Sequence, residues 1–218
     1  MVERGQVLER MTLVRSGELV LEALYASGTS GSEEGMPVVL AGPHPRFGGN
    51  MDSPVLAELV WSLASARRPT LRFNWRGVGA SQGVCGVPPL PSADPLDLGP
   101  ERADLEAAIA QQAGTGPCAL VGYSFGAAVA CAVAAVHTQV ERLALVAPLV
   151  GMMELDWDAL AQSGVPTLIV CGELDPHGSP EAVRRAVGGR FAVQEIAGAG
   201  HGFQRGLPEL ARRVTAAL

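Results

Sequence analysis

The residues best suited to chemistry begin with a serine held between two glycines. Ser124 is the centre of the segment 122–126, which reads Gly-Tyr-Ser-Phe-Gly. An apolar run, 118–123, precedes this serine, and an uncharged alanine-rich run, 125–136, follows it. A strand that passes directly into a helix needs a sharp, strained turn, and the residues two before and two after the turn must be small. The pattern therefore predicts a nucleophilic serine raised above a sheet at the N-terminus of a helix.

A serine hydroxyl becomes a good nucleophile when a neutral imidazole takes its proton. The chain has four histidines, and His201 lies in the glycine-rich segment 197–203, between the last predicted strand and the last predicted helix. His44 and His177 also follow predicted strands, whereas His137 ends the helix after Ser124. We take His201 as the predicted base because its loop position suits a side chain that reaches the serine.

The imidazole in turn needs a carboxylate that fixes its tautomer and stabilises its cation. The segment 170–176 follows the preceding predicted strand and contains both Glu173 and Asp175. Asp175 is the predicted partner because it lies deeper in this loop, and Glu173 is the alternative. The chain order then becomes serine, aspartate, histidine, which is the order of the strand–turn–helix hydrolases.

Acyl transfer also requires donors for the negative oxygen of the tetrahedral intermediate. The N–H of Phe125, directly after the serine, is the first predicted donor. The second should come from the loop 42–51, after an earlier strand, where the two prolines have no N–H. The sequence predicts Arg46 as this donor, with Phe47 as the next choice.

The elements around these residues predict an α/β fold. After an opening hairpin, apolar strands alternate with helices, which implies a mostly parallel sheet of about eight strands, an antiparallel N-terminal strand and helices on both faces. Such sheets bind ligands at the carboxyl ends of their strands, where all the residues above are placed. The predicted strands cover 11–15, 19–25, 37–41, 70–74, 118–123, 142–147, 166–171 and 191–196. The predicted helices cover 54–67, 101–112, 125–136, 156–162, 180–187 and 207–218, with Ser53 and Ser179 as N-caps.

Three other functions are weakly supported. The uncharged run 118–136 approaches the length of a membrane span, but Ala and Gly dominate it rather than Leu and Ile. The segment 74–81 contains a Gly-x-Gly pattern, yet the third glycine of a dinucleotide fingerprint is replaced by Gln82, and no helix follows at once. The histidines are scattered and no H-E-x-x-H occurs, so the sequence predicts neither a metal nor another cofactor.

Composition sets further limits. The 218 residues suit one domain, 1–218, and a net charge of −6 argues against a nucleic-acid or membrane surface. All 16 basic residues are arginine, which excludes Schiff-base chemistry and a serine–lysine pair. The cysteines are widely spaced and are predicted to be free thiols in a cytoplasmic protein: Cys85, Cys118, Cys131 and Cys171. Monomer and homodimer are both compatible with the sequence.

Taken together, these motifs resemble the α/β-hydrolase superfamily, and most closely its small bacterial serine hydrolases of the dienelactone-hydrolase-like type, which lack a cap domain. The resemblance runs from about residue 19 to the C-terminus. It is carried by the segments 44–51, 73–81, 122–126, 172–175 and 200–203. Dienelactone hydrolases proper use a cysteine where this chain has Ser124, so the resemblance implies an esterase-like activity rather than cleavage of that particular lactone.

The expected substrate is a small-molecule ester or related acyl compound. Only residues 148–155 occupy the place where larger relatives insert a lid, so an open site suited to short acyl groups is expected. The irregular segment 82–100 is a candidate rim. Thioester hydrolysis, acyl transfer, a non-hydrolytic reaction and a non-catalytic binding role are the alternatives. The predicted substrate contacts are Phe47, Met152, Met153 and Trp157, and packing on the core is the alternative for the last three.

Overall fold

A computed structural model of the protein describes residues 8–28, 35–92 and 96–218. Parts of the predicted domain 1–218 and of the candidate rim 82–100 lie outside these residues. Eight strands form one sheet in the order β1-β2-β4-β3-β5-β6-β7-β8. The strands are β1 Glu9–Ser16, β2 Leu19–Ala26, β3 Val38–Ala41, β4 Thr70–Phe73, β5 Cys118–Tyr123, β6 Val140–Val146, β7 Thr167–Gly172 and β8 Val193–Ile196.

The sheet is parallel from β4 to β8, and its reversed strand is β2. This strand pairs antiparallel with both β1 and β4, so the opening hairpin extends one edge of the parallel sheet. Gly17 turns the hairpin with φ +60, a conformation that glycine adopts at little cost. The predicted fold class, with about eight mostly parallel strands, is confirmed.

Six helices cover the two faces of the sheet: α1 Pro54–Ser65, α2 Gly99–Ala113, α3 Phe125–Ala134, α4 Trp157–Ser163, α5 Pro180–Val187 and α6 Leu207–Ala217. One core cluster joins one face of the sheet to α2, α3, α4 and α5, and a second cluster joins the other face to α1 and α6. The central strands β3 and β5 are buried along their whole length, which explains why they read as continuous apolar runs rather than alternating ones.

Helix boundaries follow local capping chemistry with small departures from the sequence predictions. Ser179 caps α5 through a hydrogen bond from the Ala182 N–H, whereas Ser53 occupies the N-cap position of α1 without a side-chain cap. Helix α1 ends at Ser65, two residues early, because Arg67 adopts a positive φ of 65. Pro54 suits the first position of α1, because the N–H that it lacks would have no partner within the helix.

The chain passes from β6 to α4 through residues 147–156, which leaves no room for a cap at that point. No cap domain occurs elsewhere in residues 8–28, 35–92 and 96–218, as predicted. Among the helices that the structure describes, none combines the length and the hydrophobicity that crossing a membrane requires.

Candidate active site

The turn between β5 and α3 holds Ser124 in a strained conformation. Its φ is +59 and its ψ is −117, a region that non-glycine residues seldom occupy. A Cβ on Gly122 would lie 2.6 Å from the Ala127 Cα, and one on Gly126 would lie 2.6 Å from the Gly42 oxygen. Both positions therefore require glycine, because backbone from α3 and from the end of β3 occupies that space. The turn buries all but 4% of Ser124 at the carboxyl edge of the sheet.

The structure brings three predicted residues into one hydrogen-bonded chain. The His201 Nε2 lies 2.8 Å from the Ser124 Oγ, and the His201 Nδ1 lies 2.8 Å from the Asp175 Oδ2. The other carboxylate oxygen, Oδ1, accepts the N–H groups of His177 at 2.9 Å and Gly178 at 3.3 Å. Serine, histidine and aspartate come from the ends of β5, β8 and β7 respectively, so the sheet itself sets their spacing.

Electrostatics favour an ionised Asp175. Burial opposes its charge, but the hydrogen bond and positive charge of His201, together with two backbone N–H donors, lower the pKa of the carboxyl below its usual value. An ionised carboxylate accepts only, so the His201 Nδ1 carries the proton of their hydrogen bond. The Nε2 of a neutral ring is then the acceptor that faces the serine hydroxyl.

Packing fixes the loop that carries His201. The Tyr123 ring stacks on the imidazole with centroids 5.7 Å apart, and the Tyr123 hydroxyl donates to the His201 carbonyl at 3.2 Å. Burial and the nearby Asp175 raise the pKa of Tyr123 to about 12, so it remains a phenol donor. The alternative carboxylate, Glu173, instead accepts the Gly198 N–H at 2.7 Å. This bond also holds the loop that carries His201.

The structure corrects the predicted second oxyanion donor. Residues Pro45–Phe47 form a short 3₁₀ turn in which the Arg46 N–H donates to the Nδ1 of His44 at 3.2 Å. The Arg46 side chain points away, toward the carbonyls of Cys85 and Val87. The Phe47 N–H is also occupied, by the His44 carbonyl at 3.1 Å. Neither Arg46 nor the runner-up Phe47 therefore offers a free N–H.

The backbone N–H of His44 is not among the candidate donors predicted from the sequence. Within residues 8–28, 35–92 and 96–218, neither its N–H nor that of Phe125 has a hydrogen-bond acceptor. The His44 ring packs against the Phe125 ring at 5.0 Å, so the two backbone segments lie side by side. The imidazole of His44 is considered as a base in the sequence analysis, but its backbone N–H is not. The sequence does not show that the N–H groups of Arg46 and Phe47 are bonded while that of His44 is not.

The His44 ring holds this loop in place. Its Nε2 lies 3.1 Å from the Pro88 carbonyl, while its Nδ1 accepts from Arg46. Burial and the Arg46 charge lower the pKa of His44, although the contact with Pro88 opposes this shift. The ring is therefore a neutral Nε2–H tautomer that links the loop after β3 to the segment around Pro88.

A mostly apolar cleft of about 560 Å³ opens over Ser124. Two of the four predicted substrate contacts, Phe47 and Met152, line it. The other two, Met153 and Trp157, are buried in the core cluster with 8% and 7% exposure, so the alternative of core packing describes them and they do not line the cleft. The remaining side chains of the wall include Leu90 from the predicted rim and three residues that were not predicted as contacts: Tyr123, Leu149 and His177.

The Gly-x-Gly segment 74–81 is a structural turn. The Asn74 Oδ1 accepts the Met51 N–H at 2.8 Å, and its Nδ2 donates to Glu22 at 2.8 Å. The Trp75 Nε1 donates to the Gly42 carbonyl at 3.2 Å. These contacts brace both ends of the loop that carries His44, which is a structural role for the turn.

Other chemistry has little support in the described residues. No cluster of three or more His, Cys, Asp or Glu side chains among them could hold a metal ion. All four cysteines are described, and none lines the cleft. Burial raises the pKa of Cys131 and Cys171 to about 12, which makes both poor nucleophiles.

Comparison with known proteins identifies the family. The model of the alpha/beta hydrolase family matches residues 38–157, more than half of the chain, so the chain belongs to this family. The Coxiella burnetii structure described as an alpha-beta serine hydrolase homologue is 29% identical, with a TM-score of 0.78 over 96% of this chain and 97% of that one.

Two further proteins are similar to this chain. A Xanthomonas campestris structure, described as an a/b serine hydrolase without lid, shares the fold at 22% identity, with a TM-score of 0.76 over 96% of this chain and 93% of that one. An uncharacterized protein of Rickettsia prowazekii is 28% identical over 210 residues, 89% of this chain and 82% of its own. The predicted family and its lidless class are confirmed, and they indicate a hydrolase.

Proposed function

We propose that this protein is a serine hydrolase that cleaves carboxylic esters with small or short acyl groups through an acyl-enzyme. The observation that carries the proposal is the hydrogen-bonded chain from Ser124 through His201 to Asp175. Each bond in it is 2.8 Å long, which is the length expected of functional donor and acceptor pairs. A chain of this kind, at the carboxyl edge of a sheet and open to an apolar cleft, suits acyl transfer.

In the first half-reaction, the Ser124 Oγ attacks the ester carbonyl carbon as His201 Nε2 takes its proton. The carbonyl oxygen becomes negative, and the N–H groups of Phe125 and His44 are our proposed donors to it. The partial positive charge at the N-terminus of α3 favours the same oxyanion. Collapse of the intermediate breaks the bond to the leaving alcohol, and His201 returns the proton to that oxygen.

In the second half-reaction, water attacks the acyl-enzyme while His201 again takes the proton. Collapse releases the acid and restores the serine hydroxyl. Asp175 stays ionised throughout, because its lowered pKa keeps it a carboxylate, and it stabilises the imidazolium that forms twice in each cycle.

The cleft favours a compact, uncharged acyl group. Its wall contains no Arg, Asp or Glu side chain among the described residues, and its volume of about 560 Å³ lies within the usual range of small-molecule sites. Leu90, Leu149 and Met152 supply apolar surface next to the serine. Short acyl chains are therefore expected to react faster than long ones.

The test is a series of p-nitrophenyl esters from acetate to palmitate, assayed with the wild type, Ser124→Ala and Ser65→Ala. Ser65 is exposed at the end of α1, so this control makes the same chemical change away from the cleft. We expect activity with acetate and butyrate that only Ser124→Ala abolishes. Equal turnover by Ser124→Ala would refute the assignment of the nucleophile, and faster cleavage of palmitate would refute the short-acyl preference.

A further inference from the structure

His177 is a second imidazole in the wall of the cleft. Its ring stands perpendicular to the His201 ring, with centroids 5.2 Å apart. Its backbone is held at both ends: the N–H donates to Asp175 Oδ1 at 2.9 Å, and the carbonyl accepts the Gly151 N–H at 3.1 Å. The ring therefore has a defined position relative to the proposed base.

The ring nitrogens of His177 are available to bind a ligand. Within residues 8–28, 35–92 and 96–218, neither of its ring nitrogens has a hydrogen-bond partner. The nearest wall segment contributes Leu149 and Met152, which offer only apolar surface. A neutral imidazole has one donor and one acceptor nitrogen, so His177 can form hydrogen bonds with a ligand in a mostly apolar part of the wall.

The proposed mechanism places the leaving group on this side of the cleft. His201 Nε2 must hand its proton to the leaving oxygen, so that oxygen lies beside the His201 ring. Because His177 contacts the same ring, the alcohol portion of an ester extends past His177. The carbonyl oxygen is the atom that the proposed donors, the Phe125 and His44 N–H groups, would bind.

We propose that His177 is a specificity-determining residue that hydrogen-bonds a hydroxyl group on the alcohol portion of the substrate, two carbons from the ester oxygen. The preferred substrates are then short acyl esters of diols or other hydroxylated alcohols. This inference rests on the proposed function, and it adds the leaving-group class to the acyl class argued above.

The test compares two esters of the same acid, 2-hydroxyethyl butyrate and propyl butyrate, whose alcohol portions contain equal numbers of heavy atoms. Each kcat/KM is divided by the rate of alkaline hydrolysis of that ester, which removes the difference in intrinsic reactivity. A typical net hydrogen bond predicts that the wild type prefers the hydroxyethyl ester about five-fold.

Variants locate the source of this preference. His177→Phe keeps a ring against His201 and removes both nitrogens, so the ratio should fall to about one. His177→Gln keeps a donor and an acceptor and should retain part of the preference. The control His137→Phe makes the same change at the far end of α3 and should leave the ratio unchanged.

The outcomes separate this inference from the proposed function. A wild type that cleaves both esters at the same corrected rate overturns the role of His177 and leaves the esterase assignment intact, and this result needs no variant. A His177→Phe enzyme that is slowed equally with both esters also overturns it. That pattern would mean that His177 positions the His201 ring and does not bind the substrate hydroxyl. Failure to cleave any ester would refute the proposed function, and the inference with it.

Discussion

Two glycine-containing turns at the carboxyl edge of the sheet have opposite uses. The turn after β5 leaves its hydroxyl to His201 and leaves the Phe125 N–H without an acceptor among the described residues. In the 74–81 turn after β4, polar side chains bond other parts of the protein. The Asn74 side chain bonds Met51 and Glu22. The Ser81 Oγ donates to the Asn74 carbonyl and accepts the Glu22 N–H.

The difference shows what separates a reactive turn from a supporting one. Both turns require glycine, so glycine content alone distinguishes neither. The reactive turn has a strained serine and an N–H without an acceptor among the described residues, both beside the cleft. The supporting turn uses its hydrogen bonds to hold the His44 loop. Changes in the first turn and its partners should therefore affect catalysis, and changes in the second should affect stability.

The largest effect is expected from Asp175→Asn. An amide at this position favours the wrong imidazole tautomer, so kcat should fall about 10⁴-fold while the fold is retained. Steady-state kinetics with p-nitrophenyl butyrate measure the loss. Glu173→Gln is the matched control two residues away, and it should remain within about three-fold of the wild type because the Glu173 carboxylate accepts the Gly198 N–H rather than a proton of His201. A larger loss in Glu173→Gln than in Asp175→Asn would reverse the two assignments.

Removal of the His44 N–H should have the next largest effect. The φ of His44 is −63, which proline accommodates, so His44→Pro deletes the proposed oxyanion donor without forcing the backbone. Its kcat should be about 10²-fold below that of His44→Ala, which lacks the ring but keeps the N–H. Arg46→Ala should have little effect on kcat. Equal kcat values in the proline and alanine variants would mean that the second donor lies elsewhere.

The supporting turn should show its importance in stability. Asn74→Ala leaves the buried Met51 N–H without its acceptor, and it should lower the free energy of unfolding by about 2 kcal/mol. Urea unfolding measures this change. Activity per active site, titrated with a fluorophosphonate, should stay close to that of the wild type. A large fall in titrated activity with no loss of stability would place Asn74 in the reactive region instead.

The smallest expected effect is a pH dependence of stability caused by His44. Burial lowers its pKa in the folded state, so the unfolded chain binds a proton first as the pH falls below about 6.5. The wild type should therefore lose more stability than His44→Ala between pH 7.5 and pH 5.5, by at most about 1.4 kcal/mol per pH unit. Parallel stability curves for the two proteins would mean that His44 has the same pKa in the folded and unfolded states, and would contradict the shift caused by burial.

Most of the fold could be predicted from the sequence because strands and helices carry local signals. The buried runs of β3 and β5, and the Gly-x-Ser-x-Gly turn between β5 and α3, are readable without any tertiary contact. The association of Ser124, Asp175 and His201 followed from a general rule: parallel strands bring their carboxyl ends to one edge.

The remaining features depend on contacts between distant residues. Whether the N–H of His44 or Arg46 is free depends on how the Pro45–Phe47 turn folds back on His44, and composition does not show this. Met152 and Met153 are neighbours in sequence, yet one faces the cleft and the other the core. Leu90 reaches the cleft through a segment that carries no regular pattern. Such details require the three-dimensional packing.

Covalent labelling with a fluorophosphonate, followed by mapping of the adduct by peptide mass spectrometry, tests whether Ser124 is the nucleophile. We expect one adduct per chain, located on Ser124, no adduct in Ser124→Ala, and much slower labelling in His201→Ala. Wild-type labelling of Ser124→Ala, or an adduct on another residue, would contradict it.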